Sequence, residues 1–118
     1  EHELSAFYDV THGVGLAILT PNWMRCVLSE KTEDRFARYG TAVWGLDPAR
    51  PRRELAEAAI QKTRDFFTSL GLPAALSELG IGPEYFPEMA RKARNSGFDR
   101  TFVPLSVEDI IHIYQMSL

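Results

Sequence analysis

The chain has 118 residues, 45% of them hydrophobic, and its sixteen acidic and thirteen basic residues leave a net charge of −3. That is enough chain for one domain with a real core. Its scattered cations give no footprint for nucleic acid, and its longest apolar run, Val14 to Leu19, is far below the ~20 residues of a membrane span. The single cysteine, Cys26, excludes an internal disulfide and a multi-cysteine zinc site. Lying among Met24, Val27 and Leu28, it reads as a small buried hydrophobe, and the expected setting is reducing and cytoplasmic.

Taken in order, residues 1–8 read as the end of a helix, because Leu4, Phe7 and Tyr8 recur at three and four. Asp9-Val10-Thr11 interrupts the pattern, and Asp9 or Thr11 can cap a second helix running from His12 to about Leu28. The first half of that helix is apolar on every side, which predicts a central, fully buried element. Gly13 and Gly15 lower helix propensity there and point to the close approach of a backbone or ligand. Pro21 is expected to kink the helix or begin a new turn.

A third helix spans Glu33–Trp44, with Phe36, Tyr39, Ala42 and Val43 as its apolar stripe and Gly45 as its stop. Pro51 is placed to open a fourth at its first position. That helix carries Leu55, Ala59, Phe66 and Leu70 on one face and ends at Gly71 before Pro73. Ala74–Leu79 forms a short helical turn. Pro83–Ser96 is a further helix with Glu88 and Lys92 one turn apart, closed by Gly97. Phe98–Leu105 is a connector. Ser106-Val107-Glu108-Asp109 resembles a capping box and starts a last helix that buries Val107, Ile110, Ile111 and Tyr114, leaving His112 on the surface. With no β-alternation, repeat or phosphate loop, the expected fold is all-α, a bundle of about six helices.

The chemistry concentrates in the first sixteen residues, which hold two of the three histidines, His2 and His12. Neutral imidazole is a common ligand for zinc and iron. On an unbroken helix, ten residues place the two rings about 80° apart, so they converge only if the Asp9–Thr11 break redirects the chain. His12 opens a helix, where the positive dipole end disfavours imidazolium and leaves a lone pair for a metal. Asp9, Glu1 and Glu3 are carboxylates within reach in sequence. Spacing alone favours two structural histidines near a helix junction and does not establish a metal site.

The run Glu1-His2-Glu3-Leu4-Ser5-Ala6-Phe7-Tyr8-Asp9-Val10-Thr11-His12-Gly13 resembles the histidine-rich signature of the iron-containing alcohol dehydrogenases, and within them the butanol dehydrogenase-like subgroup. Leu19-Thr20-Pro21-Asn22-Trp23-Met24, Tyr39 to Gly45 and Phe66 to Pro73 resemble the subgroup's downstream pattern, so the likeness spans essentially all 118 residues. It implies the C-terminal part of the dehydroquinate synthase-like fold and an enzyme that exchanges hydride between NAD(P)H and a primary alcohol or aldehyde. It further implies a divalent metal, Fe2+ or Zn2+, held by one aspartate and three histidines. His12 matches the last metal-ligating histidine. His2 matches a histidine that is not a ligand but lies at the catalytic centre beside the nicotinamide and substrate.

The other ligands and the N-terminal nucleotide-binding domain are expected upstream of residue 1. Residues 1–118 then read as the metal-side helical domain of a longer enzyme. Alone, they are expected to be inactive and to bind neither metal nor NAD(P)H stoichiometrically. The expected partners are a small alcohol or aldehyde and a second copy of the chain, brought together by apolar surface around Val14–Leu19. Two other readings stand beside this one: a stand-alone helical interaction module, and a glycerol dehydrogenase-like member of the same superfamily.

Overall fold

The computed structural model describes residues 1–97 and 101–118. Among them are six α-helices, one 3-10 turn and no strand: α1 (His2–Tyr8), α2 (His12–Val27), α3 (Glu33–Trp44), α4 (Arg52–Ser69), the turn Leu76–Leu79, α5 (Phe86–Asn95) and α6 (Val107–Met116). The all-α expectation and the order of elements hold. Of the connector expected at Phe98–Leu105, residues 98–100 lie outside the described residues. No helix among the described residues is long and apolar enough to cross a membrane.

The helix ends follow local chemistry. Gly45, Gly71 and Gly97 all take positive φ after α3, α4 and α5, a conformation that costs glycine nothing. At α6 the capping box is real: Ser106 Oγ accepts from the Asp109 amide at 3.1 Å, and Asp109 Oδ2 accepts from the Ser106 amide at 2.8 Å. Pro51 sits one position earlier than expected, as the N-cap of α4. Thr11 occupies the N-cap of α2 but makes no side-chain cap bond, while Asp9 closes α1 instead of opening α2. Helix α2 runs through Pro21 without interruption. Pro21 is fully buried, and the next residue, Asn22, braces that stretch by donating from Nδ2 to Ile18 O at 3.2 Å and to Ser117 Oγ at 2.9 Å.

The molecule is a slab of 44 × 33 × 17 Å, less than two helix diameters thick. α3 and α4 pair along their lengths, α2 packs on α4 and on α6, and α5 packs on α6 and α1. Gly40 marks the α3–α4 crossing, where a Cβ would come 3.1 Å from Ala59 Cβ and from the Leu55 carbonyl. The core joins Leu4, Ile18, Leu76, Phe86 and Met89 to Ile110, Ile113 and Tyr114. In α6 the buried face is therefore Ile110, Ile113 and Tyr114, with Ile111 and Val107 only half-buried. The C-terminus is pinned: the Leu76 amide donates to Ser117 O at 2.7 Å, and Ser77 Oγ donates to Leu118 O at 2.5 Å.

Three expected apolar faces change. Helix α2 is not buried all round: Gly15, Ala17, Ile18 and Leu19 are buried but Leu16 is exposed. In α3, Ala42 and Val43 face outward, and Ala37 and Gly40 take their place inside. In α4 the buried residues are Leu55, Ala56, Ala59, Ile60 and Thr63, while Phe66 and Leu70 are exposed. Exposed large apolar side chains include Val43 and Leu70, each 61% exposed, and Leu16 of the Val14–Leu19 stretch, 42% exposed. Cys26 is half-buried against the core, and burial and Asp109 push its thiol up, as expected of an inert cysteine.

Tyr114 gives a pH test of this core. It is 2% exposed and stacks on Phe86 with ring centroids 5.2 Å apart. Burial first, then the charges of Glu3 and Glu1, push its phenol well above the ordinary tyrosine range. A pKa raised by folding adds stability that is complete below the unfolded value, about 10, and is lost as pH rises beyond it. The urea stability difference between wild type and Tyr114→Phe is expected to be constant from pH 7 to 9. It should then move against the wild type by up to about 1.4 kcal/mol per pH unit above pH ~10.

Candidate metal centre at the α1–α2 junction

The junction brings together residues that spacing alone kept apart. α1 stops because Asp9 adopts a left-handed conformation (φ 55°, ψ 35°), with its amide donating to Ser5 O at 3.0 Å. Aspartate tolerates that region better than most residues. Val10 and Thr11 then carry the chain to the start of α2. The result is that two helix N-termini meet, each with a histidine at its first position. The His2 and His12 rings are near-parallel, with centroids 5.2 Å apart.

Glu1 completes the cluster. One ligand atom from each of Glu1, His2 and His12 lies within 4.8 Å of the others. Glu1 is the N-cap of α1, and its carbonyl accepts from the Leu4 amide at 2.7 Å and the Ser5 amide at 3.3 Å. Its carboxylate Oε2 meets His12 Nδ1, and Oε1 accepts from Ser5 Oγ at 2.7 Å. The Glu1 side chain is 6% exposed, whereas His12 is 56% exposed. Gly15 makes room for it, since a Cβ there would lie 2.7 Å from both Glu1 Cγ and Glu1 Oε1. The close approach at Gly15 is that of the Glu1 side chain, not of the backbone or ligand expected. At Gly13 there is no close approach, because a Cβ there would touch nothing within 4 Å.

Of the carboxylates considered, only Glu1 joins the two histidines. Asp9 is used to end α1, and His112 is an exposed residue of α6 outside the cluster. Ser5 was not singled out from the sequence, although it lies four residues from Glu1, the spacing of neighbours on a helix face. Phe7 and Tyr8 pack on Tyr85, with centroids 5.6 and 6.1 Å away. An apolar cavity of about 350 Å³ opens beside Glu1, between Leu16, Leu19 and Trp23 of α2 and Ile110, Ile113 and Tyr114 of α6.

The donor set fits a borderline divalent metal. Imidazole and carboxylate together suit zinc or iron(II), and a carboxylate on one imidazole nitrogen leaves the other for a metal. The surrounding slab offers an open apolar cleft next to these donors. The fold and the cluster define a helical module with a candidate metal-binding cluster, open to solvent on the side of His12.

The whole chain, residues 1–118, matches the model of the Fe-containing alcohol dehydrogenase family, C-terminal, and the chain belongs to that family. It is 50% identical over 119 residues to NADH-dependent butanol dehydrogenase A of Clostridium acetobutylicum, covering 99% of this chain and 31% of that protein. It is 45% identical over 121 residues to that organism's NADH-dependent butanol dehydrogenase B, covering 100% and 31%. Among solved structures it is similar to NADH-dependent butanol dehydrogenase A from Thermotoga maritima (TM-score 0.83, 27% identity, 98% of this chain and 31% of that one). The aldehyde reductase YqhD from E. coli is comparable, with a TM-score of 0.84, 26% identity, and 99% and 31% coverage. The chain thus spans about a third of the length of these relatives.

Proposed function

We propose that residues 1–118 form the metal-side helical domain of an NAD(P)-dependent alcohol dehydrogenase or aldehyde reductase of the butanol dehydrogenase type. The observation that carries the reading is the meeting of His2, His12 and Glu1 at one helix junction, in a chain half identical to a butanol dehydrogenase. In this reading the rest of the architecture, with the nucleotide-binding domain and the remaining metal ligands, comes from outside these residues, as the 31% coverage of the relatives suggests. The relatives' names include both NADH-dependent and NADPH-dependent enzymes, which fits a coenzyme choice made outside this domain.

The bound metal would supply Lewis acidity at the substrate oxygen. His12 would be one of its ligands, through the nitrogen that Glu1 does not engage. A single imidazole does not hold a catalytic metal, because affinity depends on several converging ligands. His2, stacked beside His12, would face nicotinamide and substrate and would hold or pass a proton. Leu16, Leu19 and Trp23 would offer an apolar wall to an alkyl chain and exclude water from it. The exposed apolar tips at Val43, Phe66 and Leu70 support self-association of the assembled protein.

Metal removal tests the reading. The longer protein, treated with a strong chelator and dialysed, is expected to lose NAD(P)H-dependent reduction of butanal, and to regain it when Fe2+ or Zn2+ is returned. Undiminished turnover in metal-free protein would refute it, as would an inability to oxidise NADH or NADPH with any short aldehyde. For the 118-residue chain alone, elemental analysis after mild dialysis is expected to give metal well below one per chain.

A further inference from the structure

We propose that Glu1 is a positioning residue that fixes the tautomer of His12, and that Gly15 is glycine in order to admit it. This inference rests on the proposed metal role of His12 and goes one layer beyond it. A ligating histidine commonly donates its second N–H to a carboxylate, and that partner sets which nitrogen is left bare.

Here the partner is built in. The carboxylate of Glu1 is anchored twice, by the α1 cap through its own backbone and by Ser5 Oγ at 2.7 Å through Oε1. Its second oxygen lies on His12 Nδ1. The side chain is almost fully covered, although it sits beside an exposed histidine. That cover exists because position 15 has no Cβ. Alanine is the better helix former by up to about 1 kcal/mol, so glycine at this interior position is explained by the carboxylate it accommodates. Ser5 Oγ also lies 2.8 Å from Val10 O, and its single proton serves one of these two acceptors at a time. The hydrogen-bonded proton sits on His12 Nδ1, and Nε2 is left with its lone pair directed away from Glu1. In this proposal Glu1 acts through His12, as its hydrogen-bond partner and not as a ligand.

The test reads the tautomer directly, with no metal present. The ¹⁵N-histidine-labelled chain is examined by long-range ¹H–¹⁵N correlation at about pH 8.5, two units above the ordinary imidazole range. His12 is expected to show protonated Nδ1 and bare Nε2, while exposed His112 serves as the free-solution reference. Glu1→Ala and Gly15→Ala should both return His12 to the pattern of His112, and Ser5→Ala should shift it part of the way. In the longer protein, Glu1→Ala should weaken Zn2+ binding by about 10–100-fold in competition with a chelator.

A His12 ring protonated on Nε2 in the wild-type chain would overturn the proposal. So would a tautomer that Glu1→Ala leaves unchanged, or Zn2+ affinity in the longer protein that Glu1→Ala does not alter. The metal role itself fails separately, if His12→Ala leaves Zn2+ affinity intact in the longer protein while the tautomer is as stated.

Discussion

Replacing His12 with alanine in the longer protein is expected to remove metal and turnover together, whereas replacing His2 with alanine is expected to lower turnover and leave metal in place. That split is the largest functional effect expected of any single substitution in this chain. His12 presents an imidazole 56% open to solvent at the first position of α2, already paired on one nitrogen. Loss of one ligand from a small set removes a large part of the affinity, because each ligand contributes only in concert with the others. His2 stands beside it with its ring centroid 5.2 Å away, and its loss is expected to act on proton movement, which is worth about 10²–10⁴ in rate. Metal content by elemental analysis and kcat measured on the same samples separate the two roles. Equal metal loss in both variants would remove the distinction between ligand and neighbour.

The second large effect is structural. Phe86→Ala is expected to destabilise the chain by about 3–5 kcal/mol, read as a lowered urea midpoint with little change in slope. Phe86 is 1% exposed, opens α5, and stacks on Tyr114 of α6. A slab this thin has few residues enclosed on all sides, so one deleted ring leaves a cavity that neighbours cannot fill by moving inward. Total stability for a chain of this size is roughly 6–18 kcal/mol at 0.05–0.15 kcal/mol per residue, so the loss is a large fraction of the whole. A change below about 1 kcal/mol would mean that the α5–α6 contact is not central to the core.

Much of this fold was legible in the sequence because its helix ends are written in local chemistry. Gly45, Gly71 and Gly97 mark stops that need positive φ, and Ser106 with Asp109 marks a start. What periodicity could not supply was where each neighbour ends. Val43, Phe66 and Leu70 continue the apolar rhythm of α3 and α4 past the covered part of those helices, and so they emerge into solvent. In α6 the choice between Ile111 and Ile113 turns on the rotation of the helix, which is set at its end by Ser117. That hydroxyl donates to Ile113 O at 2.7 Å and accepts from Asn22, ninety-five residues away.

The site divides in the same way. Residue types pointed to His2 and His12, but their ten-residue spacing could not bring them together without a redirected chain. A single left-handed residue, Asp9, provides the redirection. Glu1 was one of three candidate carboxylates, and its selection depends on Ser5 and on the missing side chain of Gly15. These are tertiary facts, which no one-dimensional pattern encodes.

In the proposed reading this chain contributes His12, and not His2, to a composite metal centre. Anomalous diffraction from crystals of the active, metal-loaded longer protein tests it most directly. A metal peak is expected about 2.0–2.1 Å from His12 Nε2, with Glu1 on the Nδ1 side of the ring and no bond to His2. A metal bonded to His2, or a fully active crystal with no metal at His12, would contradict it.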